Sequence, residues 1–191
     1  LNAKNDDRMS LVVLLRLSDD VSHNIADYTR NLAMIEPDLY IYPECDYHVT
    51  VMDILKGEKG RLLPANIGDY ISTIDSCAAD LPKFRIGFHG LTASDNVIMV
   101  KGFYDAPLQI FRERLRTSLK NRGLSLEERY ETVSCHVSIA RISKPLSNPD
   151  ELIDSIKLPH DFGVMTVDCM EISFHNWYDT QTTVLGNILL S

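Results

Sequence analysis

Two segments of this 191-residue chain, His48-Val49-Thr50-Val51 and His136-Val137-Ser138-Ile139, share one pattern: histidine, valine, hydroxyl residue, apolar residue. On a strand, residues i and i+2 face the same way, so each segment presents an imidazole beside a hydroxyl and turns its valine to the opposite face. Their surroundings match as well. Leu11 to Leu17 reads as a strand, and Val21, Ile25, Tyr28, Leu32 and Ile35 then recur at helical spacing until Pro37. In the second half, Asn96 to Phe103 reads as a strand. It leads past Asp105 into a helix with Pro107 in its first turn, Leu108, Phe111, Leu115 and Leu119 on one face, and Gly123 as its stop. The distance from Leu11 to His48 is 37 residues and that from Val97 to His136 is 39, so the histidine strands hold matching places in an internal repeat.

The remaining elements complete the repeat. Ile67, Ile71, Ile74 and Ala78 mark a second amphipathic helix, and Phe84 to Leu91 alternates as a strand. Asn148 to Ile156 starts like a capping box. One long strand is expected over Val164 to His175, with Thr182 to Leu190 as its hairpin partner, whereas Lys56 to Arg61 reads as a glycine- and charge-rich loop. The expectation is an α+β fold of two pseudo-symmetric lobes, roughly 11–95 and 96–190, each an antiparallel sheet flanked by helices, with a cleft between them. Residues 11–191 form a single domain in this reading. Residues 1–10, which begin at Leu1 rather than Met, are set apart as an N-terminal extension.

Composition narrows the partners. Hydrophobic residues make up 45% and charged residues 24%, the balance of a globular domain rather than a disordered or fibrous chain. The formal net charge of -8 disfavours a grip on a long nucleic-acid duplex but leaves room for a small anion in a local basic pocket. No apolar run approaches the roughly 20 residues of a membrane span, and no membrane partner is expected. Cys45, Cys77, Cys135 and Cys169 lack metal-ligand or disulfide-framework spacing, which points to reduced thiols in a cytoplasmic protein. A monomer is expected.

Histidine moves protons near neutral pH, and hydroxyls donate to developing negative charge. Six histidines give about one chance H-x-[ST] match where roughly one position in eight is Ser or Thr, so either motif alone says little. Their apolar flanks and matching places make the pair informative. HVTV and HVSI, the latter followed by Ala140-Arg141, resemble the two signatures of the 2H phosphoesterase superfamily, which includes 2′-5′ RNA ligase-like and cyclic phosphodiesterase proteins. The resemblance covers about Leu11 to Leu190. It implies cofactor-free and metal-free chemistry on a 2′,3′-cyclic phosphate or a 2′-5′ linkage of a nucleotide or RNA terminus, with a role in RNA processing. His48 and His136 would be the acid/base pair, and Thr50 and Ser138 would hold the phosphoryl oxygens. After the first motif the chain departs from the aromatic-glycine segment common in that superfamily, which bears on substrate identity.

Further positions are open to two readings. Arg16 and Lys101, at comparable places on the opening strands, either aim at phosphate or lie on a solvated face. Tyr47, Tyr130, Trp177 and Tyr178 either stack a nucleobase or fill the core. Alternation places Arg141 opposite His136, in an ion pair, and His175 either lines the cleft or, as the favoured reading, has a surface or core role. Cys45 and Cys135 read as small buried thiols. No P-loop, G-x-G-x-x-G or H-E-x-x-H motif is present. The competing readings are a nucleotide-binding sensor with little turnover and a purely structural repeat.

Overall fold

In the computed structural model, residues 6–128 and 130–191 are described; residues 1–5 of the expected extension lie outside them. The chain order is β1 (Arg8–Arg16), α1 (Asp19–Ile35), β2 (Tyr40–Ile41), a 3-10 turn (Glu44–Asp46), β3 (His48–Lys59), α2 (Ile67–Ala78), β4 (Phe84–Ser94) and β5 (Val97–Tyr104). It continues with α3 (Ala106–Asn121), β6 (His136–Arg141), α4 (Pro149–Lys157), β7 (Asp161–Val167), β8 (Cys169–Asn176) and β9 (Thr182–Leu189). The strands follow the order β7-β4-β5-β6-β3-β1-β8-β9, with β2 beside β6, and every pair is antiparallel. This is the expected α+β class. Among the described residues, no helix is long and apolar enough to cross a membrane, and all four cysteines are unbridged.

The two halves of the sheet do not coincide with the two halves of the sequence. The boundary expected near residue 95 falls inside the tight β4–β5 hairpin, and a hairpin forces its strands to be neighbours. β4 therefore joins β5, β6 and β7, while β8 and β9 return to the edge of β1. The single strand expected from Val164 to His175 is two strands for the same reason: β7 pairs with β4, β8 pairs with β1, and the chain changes partner at Asp168. Two further boundaries move together. β1 begins at Arg8, inside the stretch set apart as an extension, and Arg8 and Met9 pair with Lys59 and Glu58, which lengthens β3 through the expected loop. This outer end of the ladder lacks apolar alternation, so its pairing leaves no hydrophobic pattern.

Amphipathic faces seat the helices as their spacing predicts. Val21, Ile25 and Leu32 of α1 and Leu108, Phe111, Leu115 and Leu119 of α3 are buried. The face of α2 is rotated toward Tyr70, Ile74 and Cys77, with Ile67 and Ile71 at its margin. Gly123, at φ +67°, takes the left-handed turn that ends α3. At Gly102 a side chain would meet the Cys135 sulfur at 2.5 Å, so glycine lets β5 approach the residue just before His136.

β3 and β6 join the two halves through one register pair, Val49 opposite Val137. Behind this seam lies Arg112, fully buried on the apolar face of α3, four residues after Leu108. Its Nε donates to the Val51 carbonyl at 2.8 Å and its Nη2 to the Ser134 carbonyl at 2.8 Å, so one guanidinium ties both histidine-bearing segments. Among the described residues no carboxylate pairs with it; the Tyr104 hydroxyl at 3.3 Å is its third partner. Replacing Arg112 with Met should cost about 2–4 kcal/mol in urea unfolding, because two strand carbonyls lose charged donors. Arg112→Lys should fall between, since an ammonium lacks the fork that spans both carbonyls.

Candidate active site

The single register pair fixes how the motifs face each other. With Val49 opposite Val137, antiparallel pairing places His48 across from Ser138 and Thr50 across from His136. Each hydroxyl thus stands by the other strand's imidazole, and a local twofold relates the motifs. The histidines occupy the diagonal, about 7–8 Å apart in a regular pair. Val49, Val51, Val137 and Ile139 are wholly buried on the other face. His48, Thr50, His136 and Ser138 all line a cavity of about 200 Å³, whose wall also includes Asp46, Asp53, Arg141, His175 and Trp177. A wider groove of about 600 Å³ shares His136, Ser138, Arg141 and Trp177 with it and runs out past Asn96, Met99 and Lys101.

The two imidazoles differ in their support. His48 Nδ1 lies 2.8 Å from the Asp46 carbonyl oxygen, which can only accept, so Nδ1 carries the proton and Nε2 offers its lone pair. Burial, reinforced by neighbouring His175, pushes the His48 imidazole down to about 4. The Asp179 carboxylate, 3.9 Å from Nδ1, opposes that shift without reversing it. His136 has a looser contact, 3.5 Å from its Nδ1 to the Ser134 hydroxyl. It too is lowered, by burial first and then by the Arg112 guanidinium.

Arg141 departs from simple alternation. Ala140 pairs with Ile98 but Ser138 pairs with Met99, so β6 takes two steps where β5 takes one, and Ile139 is the extra residue of a bulge. Ile139 and Ala140 are consecutive buried residues, and the phase shift returns Arg141 to the face of His136 and Ser138. Its Nε donates to the Tyr42 hydroxyl at 2.9 Å, and its guanidinium lies 5.4 Å from the Trp177 ring centre. No carboxylate among the described residues pairs with it, so the expected ion pair gives way to a cation on the cavity wall.

The other candidates separate cleanly. Lys101 stands across from His136 in register and lines the wider groove. Arg16 does not line the histidine cavity; it is held by Glu171 at 3.0 Å and Asp179 at 2.6 Å. Tyr47 is 2% exposed, turned from His48 by alternation and packed near Thr29 of α1, so it is a core residue. Tyr178 is buried beside Tyr40 and Tyr42. Tyr130 is exposed on the groove wall, and Trp177 sits at the rim between Arg8 and Arg141. Cys135 is buried, its thiol pushed up to about 12 by burial, whereas Cys45 is exposed rather than buried.

His175, for which the sequence favours a surface or core role over a place in the cleft, lines the cavity, with its ring centre 5.5 Å from that of His48. Its Nδ1 lies 2.9 Å from Asp179. A sequence signal for this placement exists: on β8, Glu171, Ser173 and His175 alternate with the apolar Met170, Ile172 and Phe174, which sets His175 on a polar face apart from the apolar one.

Burial of neutral His48 makes stability depend on pH. Unfolded, this group takes up its proton near 6.5; folded, only near 4. Between those values the unfolded chain binds more protons, so stability climbs with pH and levels off above about 6.5. Urea unfolding should show a loss of up to about 3 kcal/mol from this group between pH 7 and pH 4. His48→Gln should lose less on acidification than the wild type, and an unchanged difference would exclude this origin.

No protein-family model matches the sequence, and no curated protein does. Solved structures do. TT0787 of Thermus thermophilus superposes with a TM-score of 0.69 and 18% identity over 95% of this chain and 97% of that one. E. coli LigT complexed with 3′-AMP gives 0.64 and 12%, covering 96% and 99%. The MHV ns2 PDE domain gives 0.53 and 12%, covering 83% and 97%. What is common at such identities is the architecture: the chain has the fold of LigT and the ns2 PDE domain, that of the 2H phosphoesterase superfamily which its histidine motifs resemble.

Proposed function

We propose that this protein is a phosphodiesterase that opens 2′,3′-cyclic phosphates or cleaves 2′-5′ linkages at nucleotide or RNA ends by two-histidine acid/base catalysis. The observation that carries the reading is the seam. Two imidazoles and two hydroxyls, drawn from strands far apart in sequence, face one cavity in a twofold arrangement beside an arginine that no carboxylate of the described residues pairs with. The nucleotide and phosphate complexes of LigT support a nucleotide-sized anion as ligand.

In this mechanism His48 Nε2 takes a proton from the attacking water as the water oxygen bonds to phosphorus. His136, as imidazolium, gives its proton to the ribose oxygen that departs. Thr50, Ser138 and Arg141 donate to the non-bridging oxygens, where charge builds up. His48 is well suited to the first role because its Nδ1–H is fixed by the Asp46 carbonyl and its Nε2 is unprotonated at neutral pH. His136 needs a proton that burial disfavours, and a bound phosphoryl anion supplies the missing counter-charge.

The test is turnover of a nucleoside 2′,3′-cyclic phosphate in the presence of EDTA. Wild type should hydrolyse it, and His48→Ala and His136→Ala should each lose at least about 100-fold in kcat/KM. Since the free enzyme needs His48 neutral and His136 protonated, kcat/KM should peak on the acid side of 6.5. A double mutant as active as wild type would sink the proposal. Nucleotide binding without turnover would favour the sensor reading instead.

A further inference from the structure

One strongly held histidine in the cavity has no part in the two-motif mechanism. His175, on β8, is 6% exposed and stands across from Ser10 in register, with its ring edge-on to His48. Its Nδ1 must carry a proton, because the Asp179 oxygen 2.9 Å away accepts only. No group among the described residues takes Nε2, and the side chain lines the cavity.

The support behind this histidine is built. Asp179 adopts φ 58°, a left-handed turn conformation that Asp tolerates better than most residues. That turn is pinned by the fully buried Asn176, whose backbone carbonyl accepts from the Asp179 N–H at 3.0 Å and whose backbone N–H donates to the Gln181 carbonyl at 3.0 Å. The carboxylate also accepts from Arg16 at 2.6 Å and from the Thr182 hydroxyl. Arg16 in turn holds Glu171 at 3.0 Å. Arg16, Glu171 and Asp179 together carry one net negative charge beside the His175 ring. The ring so held lies beside His48 on the cavity wall.

We propose that His175 is a third substrate-contacting imidazole of this site: braced through Nδ1–H by Asp179, it donates Nε2–H to a non-bridging oxygen of the phosphodiester held between the two motif histidines. This rests on the phosphodiesterase reading and adds to it a charged oxyanion donor from outside both motifs. It also gives Arg16 a purpose one step removed from substrate, as a positioning residue that orients Asp179. The cavity becomes asymmetric: the local twofold of the motifs has His175 on the His48 side, while Arg141 follows the His136 motif.

The full chain and three variants test this. In turnover of a nucleoside 2′,3′-cyclic phosphate, His175→Ala should lower kcat/KM by about 100-fold, as removal of an oxyanion donor does. His175→Gln, which retains an N–H donor without the charge, should recover part of that loss, and Asp179→Asn should weaken turnover less than His175→Ala. Independently, inorganic phosphate titrated into the wild-type chain should shift the His175 Nε2 signal in nitrogen-15 NMR. This readout does not depend on any variant folding. His175→Ala within threefold of wild type, with no phosphate-dependent shift at His175 while His48→Ala is inactive, would overturn the assignment and leave the phosphodiesterase reading intact. A phosphate-dependent shift with no turnover by wild type would do the reverse.

Discussion

The architecture converges on one weak point that has been made strong from behind. Two antiparallel half-sheets touch through a single residue pair, Val49 with Val137, where a continuous ladder would have closed the space that the cavity occupies. A seam with so few backbone hydrogen bonds needs another tie, and Arg112 supplies it by donating to carbonyls on both sides. An unpaired buried cation is costly in isolation. Here its charge is spread over fixed carbonyl dipoles and the Tyr104 ring and hydroxyl. The same guanidinium depresses His136 from the far side of the sheet, so what holds the halves together also bears on the charge state of a site residue.

Opposite treatment of three similar side chains follows from their neighbours. His48 is half-buried with a carbonyl behind its ring, which fixes a tautomer without supplying a full counter-charge, and it is held neutral. His136 has only a distant hydroxyl and stays available to a proton once an anion arrives. His175 has a carboxylate, itself anchored by an arginine. Burial alone would raise Asp179, but hydrogen bonds from His175, Arg16 and Thr182 overcome that and hold it well below the ordinary carboxylate range. Environment sets apart imidazoles that sequence alone cannot distinguish.

The facing of His48, Thr50, His136 and Ser138 is legible in the sequence because strand alternation has an invariant period of two, and helix faces such as Leu108-Phe111-Leu115-Leu119 are legible for a similar reason. Legibility ends where periodicity is interrupted or pairing is non-local. Alternation misplaces Arg141 because a bulge at Ile139 shifts phase, and a bulge has no sequence mark here. A symmetric sequence does not dictate which half of the sheet a strand joins; the β4–β5 hairpin does. Tyr47 follows the alternation rule, which by itself turns the ring away from the face of His48. Arg112 sits on the apolar face of α3 at i+4 from Leu108, a conflict between charge and position that signals a buried partner.

Local and global electrostatics are decoupled in this molecule. The chain carries a formal net charge of -8, and at physiological salt the repulsion of a polyanion is felt within about 8–10 Å of that acidic surface and is screened beyond it. Along the wider groove, lined by Lys101 and Arg141 and by no carboxylate of the described residues, the balance reverses. Arg16 is consumed by Glu171 and Asp179, yet Arg141 and, across the groove, Lys101 remain without an ion-pair partner among the described residues, and Trp177 is flanked by Arg8 and Arg141. A short anionic end can reach these cations past little of the acidic surface, whereas a long strand must lie along it. On the proposed function, selection for an end over a strand would be a property of the whole charge distribution rather than of one residue.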